Sequence, residues 1–145
     1  MSLDATVFHG AKVALLVNDA IVTFLRDDKP DIDWPARWDL PGGGREGQES
    51  VTECICREVM EEFGIALDPD WLIWSRAYPS VFPDRAGDLF LVAEIPPDLL
   101  DQVRFGSEGQ RWALITIDEY LAKEDAVPHH QHRLRDYLDA AQEQG

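Results

Sequence analysis

The chain has 145 residues, 45% of them hydrophobic and five of them Trp, which suits one folded domain with its own core and excludes a disordered tail. A formal net charge of −15 sets the surface against nucleic acid backbones, excludes a basic-groove binder of long nucleic acid, and requires divalent cations to mediate any encounter with a phosphate ligand. No apolar run approaches the ~18 residues that span a bilayer, and MSLDATVFHG has neither the basic nor the apolar region of a secretory signal, so a cytoplasmic protein without a membrane partner is expected.

In chain order, FHGAKVALLVN reads as a strand, Asn18-Asp19 as a tight turn and AIVTFLRD as the hairpin partner. DKPDIDWPAR, with two Pro and three Asp, reads as a loop; WDL resumes an extended segment that runs into Pro41 and the run Gly42, Gly43, Gly44. A helix follows, opened by a capping box of Ser50 and Glu53 and closed at Gly64, where a left-handed C-cap belongs. WLIWSRAY and LFLVAEI read as strands separated by the loop PSVFPDRAGD, and RWALITI as a further strand after RFGSEGQ. Pro128 opens a final helix whose Leu134, Tyr137, Leu138 and Ala141 form one apolar stripe. The order predicts a mixed sheet flanked by helices, an α/β fold in a single domain.

Cys54 and Cys56, two apart on a predicted helix, point to different faces and neither bridge nor share a metal; they read as small buried or half-buried residues in a reducing compartment. Of His129, His130 and His132, only the first and last share a helical face, and the group reads as a solvated helix start.

The helix from Ser50 to Phe63 contradicts its own amphipathic logic. Val51, Ile55 and Val59 define an apolar arc, with Cys54 and Phe63 on its flanks. Glu58 and Glu62 fall within the same angular range, and Glu61 lies on its shoulder. Like charges four residues apart disfavour a helix by about 0.2–0.5 kcal/mol, and negative charge near its C-terminus opposes the helix dipole. One reading is a solvated acidic face with Arg57 as local partner. The other is a hard cation, Mg²⁺ or Mn²⁺, held by the carboxylates, with the glycine run letting backbone approach a ligand.

At these residues the sequence resembles the Nudix hydrolase family, whose box reads G-x5-E-x7-R-E-U-x-E-E-x-G-U with U a bulky aliphatic residue. Gly43 is followed at that spacing by Glu49 and then by Arg57-Glu58-Val59-Met60-Glu61-Glu62-Phe63-Gly64-Ile65, so each of the nine defined positions is matched across 43–65. The resemblance implies the Nudix fold, an α/β/α sandwich around a mixed sheet, with the box covering about a sixth of the chain and a single domain over 1–145. It implies Glu58, Glu62 and Glu61 as metal ligands, a further ligand from the Gly42 carbonyl, and an orienting pair of Arg57 with Glu49. Gly43 and Gly44 belong to the substrate-facing loop. The stretch FGSEGQRW resembles a late loop of MutT-like members, which makes Glu108 a candidate metal ligand or general base; Glu61 or Glu62 serves equally as the base, and a solvated loop glutamate is the plain alternative.

The activity so implied is metal-dependent hydrolysis of a phosphoanhydride in a nucleoside diphosphate linked to a moiety X, with a small nucleotide as the partner. The compact chain and SEGQRW lean toward a nucleoside triphosphate pyrophosphohydrolase. The alternatives are an ADP-ribose or dinucleoside polyphosphate hydrolase, and a nucleotide-binding module without turnover. Some ADP-ribose members carry a Pro about fifteen residues beyond the box, and Pro79 and Pro83 both miss that register. Arg26 and Arg37 are candidate phosphate contacts, and Trp34, Trp38, Tyr78 and Phe82 candidate stacking surfaces for a base, against ordinary salt bridging and packing. A homodimer is compatible with the sequence.

Overall fold

Alternation along the first strand decides the architecture. In the computed structural model, which describes residues 7–144, β1 (Gly10–Val17) sends Val13, Leu15 and Val17 to one face and Ala14 and Leu16 to the other. The N-terminal stretch read above for an export signal lies, up to residue 6, outside the described residues. The remaining strands are β2 (Ala20–Leu25), β3 (Trp38–Asp39), β4 (Gly42–Gly44), β5 (Leu72–Tyr78), β6 (Asp88–Glu94) and β7 (Arg111–Thr116). They form one mixed sheet in the order β3-β2-β1-β6-β5, with β4 added to β1 and β7 to β2; β1 and β6 run parallel and the other named pairs antiparallel.

Helix α1 (Val51–Phe63) packs Val51, Ile55, Val59 and Phe63 onto the Val13 face. On the opposite face Leu134 of α3 (Pro128–Gln144) and Tyr120 of α2 (Ile117–Ala122) pack with Leu16, Ile21, Phe90 and Val92. The result is the helix–sheet–helix sandwich of the Nudix fold. Both caps of α1 form as expected: Ser50 Oγ accepts from the Glu53 N–H at 3.1 Å, Glu53 accepts from the Ser50 N–H at 2.9 Å, and Gly64 turns left-handed at φ 69°.

Three features depart from the sequence reading. Ile117 leaves the β7 ladder to open α2, because Thr116 caps that helix by accepting from the Glu119 N–H; the alternating LITI pattern conceals the cap. Short 3₁₀ turns occupy Pro69–Trp71 and Pro97–Gln102. On α3, Leu134 and Tyr137 pack against the sheet, whereas Ala141 is exposed on the last turns.

The sheet also contains the opening that becomes a cleft. β1 pairs with β2 only at Leu16↔Ile21 and Val17↔Ala20, while its other end pairs with β4 from Gly10↔Gly44 to Lys12↔Gly42. The two strands fork, and Lys12 on one and Phe24 on the other line a cleft. Replacing Ser50 by Ala removes one member of the capping box and should lower stability by about 1 kcal/mol, a Tm decrease of about 3 °C by calorimetry.

Candidate active site

The glycine run is a strand, and its lack of side chains is what brings it onto the helix. Gly42 has φ 134°, and a Cβ there would stand 2.1 Å from the Ala11 carbonyl oxygen; at Gly43 a Cβ would stand 2.7 Å from the Glu58 carboxylate. β4 therefore lies directly over α1, and the Gly42 N–H donates to Glu62 Oε1 at 2.8 Å.

Glu62 is 8% exposed, and burial pushes its carboxyl up to about 8 against the opposing pull of Lys12 and the Gly42 N–H. Burial also raises Glu58, whose carboxylate accepts from Arg57 at 2.9 Å. Arg57 holds the rest of the box together. It donates to both oxygens of Glu49 at 2.7 and 3.0 Å, to Glu61 at 3.2 Å and to the Gly44 carbonyl at 2.8 Å. Hydrogen bonding to Arg57 lowers Glu49. Arg57 thus ties the loop before the helix to the helix itself.

These groups open into a cleft of about 570 Å³ whose lining includes Gly42, Gly43, Gly44, Glu58, Glu62, Glu108 and Arg26. Glu61 sits beside it in a smaller recess shared with Glu62 and Glu108. The loop bearing Glu108 is fastened to the end of α1, the Arg104 N–H donating to the Phe63 carbonyl and the Gly106 N–H to the Glu62 carbonyl. Glu108 itself is exposed.

Arg37, a candidate phosphate contact, does not line the cleft. Its guanidinium donates to the Glu124 and Ala126 carbonyls and covers the Trp34 ring. Arg26 lines the cleft with its guanidinium already bonded to Asp39 and to the Asp33 carbonyl. The Gly42 carbonyl, a candidate metal ligand, accepts from Lys12 Nζ at 3.1 Å. Of the candidate stacking rings, Trp34 and Phe82 line the cleft, Trp38 is buried in the core, and Tyr78 donates to Asp136. Cys54 is buried and Cys56 half-buried, both as free thiols.

The floor of the cleft is a network that the sequence reading did not anticipate. Asp39, 2% exposed, accepts from Lys12 at 3.0 Å, Arg26 at 2.8 Å, His130 Nε2 at 2.9 Å and the Leu40 N–H at 2.7 Å. Burial alone would raise its carboxyl, but Lys12, His130 and Arg26 together hold it well below the usual carboxylate range. The helix start is therefore not solvated at His130, which is 3% exposed. Arg133, one turn further on, is also buried, donates to the Pro79 carbonyl and lines the cleft. Two sequence signals pointed here: a lysine inside the apolar strand GAKVALLV, and an aspartate between Trp38 and Leu40.

The donor set suits a hard divalent cation. Glu58 and Glu62, four apart on one helix face, are half-buried or buried carboxylates that burial drives toward protonation, a penalty that a cation relieves. Among the described residues no three His, Cys, Asp or Glu side chains converge as a complete metal cluster.

The NUDIX domain model matches residues 7–137. No curated protein sequence matches the chain. Among solved structures, a MutT protein from Methanosarcina mazei Go1 superposes with a TM-score of 0.72 at 18% identity, covering 97% of this chain and 99% of the other. A C. elegans Ap4A hydrolase gives 0.66 at 17% identity, over 93% and 98%. A bifunctional NMN adenylyltransferase/ADP ribose pyrophosphatase from Francisella tularensis, complexed with AMP and Mn ion, gives 0.71 at 19% identity over 92% of this chain; the match spans 41% of that enzyme's length.

The Asp39 network makes a prediction of its own. A carboxyl held below its unfolded value stabilises the fold above that value and loses the contribution as pH falls through the folded one. Asp39 should therefore contribute fully at neutral pH and fail in acid, below the usual 3.8. Asp39→Asn should cost about 3–5 kcal/mol at pH 7 in urea denaturation and flatten the acid limb of the stability profile. An unchanged acid limb would show that Asp39 is not the group responsible.

Proposed function

We propose that this chain, which belongs to the NUDIX family, is a hydrolase that cleaves a phosphoanhydride bond in a nucleoside diphosphate linked to X, with nucleoside triphosphates as the substrate and Mg²⁺ or Mn²⁺ as cofactor. The observation that carries this reading is the pair Glu58 and Glu62, both raised by burial and both lining the cleft beneath a side-chain-free strand. Glu58 and Glu62 would hold that cation, which would supply charge neutralisation for the phosphates and acidify water.

The chain's own groups do the rest. β4 presents backbone without side chains, so a phosphate chain can lie close against it. Arg57, anchored bidentately by Glu49, orients Glu58 and Glu61 and serves as a positioning residue. Glu108 lines both the cleft and the recess beside Glu62, and we assign it the proton from the attacking water. Water adds to the phosphorus, the anhydride oxygen leaves with its phosphates, and a triphosphate yields a monophosphate and pyrophosphate. Lys12 and Arg26 offset part of the acidic surface near the phosphates, although both are committed to Asp39.

The test is product analysis across standard and oxidised (deoxy)nucleoside triphosphates, ADP-ribose, diadenosine polyphosphates and NADH. The second and third classes are included because similarly folded neighbours carry those substrates in their names. Monophosphate release in Mg²⁺, abolished by EDTA and reduced about 100-fold or more in kcat by Glu58→Gln and by Glu62→Gln, is the expected outcome. Glu108→Gln should lower kcat with little change in metal affinity. Metal and nucleotide binding without turnover of any compound would replace the hydrolase with a binding module.

A further inference from the structure

Among the described residues, four Lys and Arg side chains line the cleft, and three of them are already paired. Lys12 and Arg26 bind Asp39 at 3.0 and 2.8 Å, and Lys29 stands 3.7 Å from Asp27. Arg133 has no carboxylate in ion-pair contact, although it is only 4% exposed and keeps its charge. Its one hydrogen bond runs from Nη2 to the Pro79 carbonyl at 3.3 Å. Nε and Nη1 donate to no described residue, yet neither is enclosed: the enclosed side-chain nitrogens without a partner are Trp34 Nε1 and His130 Nδ1. The little exposure that Arg133 keeps therefore includes unpaired N–H groups, and the cleft is the opening it lines.

The guanidinium is held in position. Its centre lies 4.7 Å from that of the Tyr78 ring, and Tyr78 is itself fixed by donating to Asp136 at 2.8 Å. The surroundings disfavour a phosphate. Burial works against the charge of Arg133, and the carboxylate that offsets this is Asp88, which also lines the cleft. His129, four residues earlier on the same helix face, lines the cleft as well; burial pushes it down to about 3, so it is neutral at pH 7. Helix α3 covers the sheet face opposite α1, so Arg133 reaches the cleft from the side away from Glu58 and Glu62. With the phosphates at those two carboxylates, the base is the part of a nucleotide left for a donor beside Asp88.

We propose that Arg133 is a specificity-determining residue that donates an unpaired N–H to a keto oxygen on the substrate's base, favouring guanine and uracil over adenine and cytosine. A guanidinium has five donors and no acceptor. It matches the oxygen of guanine or uracil and opposes the amino group that adenine or cytosine carries at the corresponding position. The inference rests on the nucleotide-hydrolase reading and deepens it by naming the class of base.

The α,β-methylene triphosphates of guanosine, uridine, adenosine and cytidine test it without turnover, because carbon replaces the bridging oxygen. Each is titrated calorimetrically in saturating Mg²⁺, with inorganic tripolyphosphate as the baseless control. The guanosine and uridine compounds should bind about tenfold or more tighter than the other two, the gain of one hydrogen bond from a charged donor. Arg133→Met should shrink that preference to about twofold or less and leave tripolyphosphate unchanged. Arg133→Lys, which keeps the charge but loses the planar group over Tyr78, should reduce the preference in the same direction. Three results would each overturn the inference and leave the hydrolase reading to its own turnover test. They are equal affinity of the parent protein for all four analogues, a preference that survives both substitutions, and loss of tripolyphosphate binding in a variant with the parental circular dichroism spectrum. Binding of none of the five compounds would overturn both.

Discussion

A backbone without side chains pressed against two carboxylates is the constraint on which the site depends. Gly42 and Gly43 lie where a Cβ would strike the Ala11 carbonyl or the Glu58 carboxylate. This approach removes water from Glu58 and Glu62 and pushes both toward protonation, creating the demand for a cation. Were β4 further away, the same glutamates would be a solvated acidic stripe. The box is thus a packing arrangement first, and its chemistry follows from that packing.

Arg57 resolves the electrostatic conflict in the helix. Five negatively charged or carbonyl partners surround one guanidinium, with Glu49 gripped bidentately and Glu46 at 3.3 Å. The same side chain that lowers like-charge repulsion also fixes the loop of residues 44–49 to the helix. Two of the positive groups in the cleft, Lys12 and Arg26, are themselves shared with Asp39, so much of their charge is already balanced within the protein, whose net charge is −15.

Asp39 joins regions that the sheet topology would otherwise leave independent. Lys12 reaches it from β1, Arg26 from the end of β2 and His130 from α3. Lys12 then continues to the Leu40 and Gly42 carbonyls. One buried carboxylate therefore supports both the strand over α1, through Lys12, and the ring of a histidine in the cleft. Separate parts of the cleft share a common support, which accounts for a charged cluster in a sheet interior that would otherwise favour apolar side chains.

The local sequence determined what depends on short spacings. Apolar runs marked β1 and β6 as strands, the Ser50–Glu53 and Gly64 signals set α1, and the i,i+4 placement of Glu58 and Glu62 put both carboxylates on one helix face. The pairing of Arg57 with Glu49 was implied by the resemblance to the Nudix box and is present. Contacts between distant segments were not. Lys12 and Asp39 are 27 residues apart, and His130 lies on another helix, so neither periodicity nor a motif connects them. The fork between β1 and β2 brings them together, as does the packing of α3 across the sheet. Arg37 was drawn away from the cleft by two backbone carbonyls whose position depends on how the chain enters α3. Helix and strand periodicity act over a few residues, whereas hydrogen-bond competition and burial are decided only when remote segments meet; the box was therefore legible in the sequence, and the polar floor of the cleft was decided by tertiary structure.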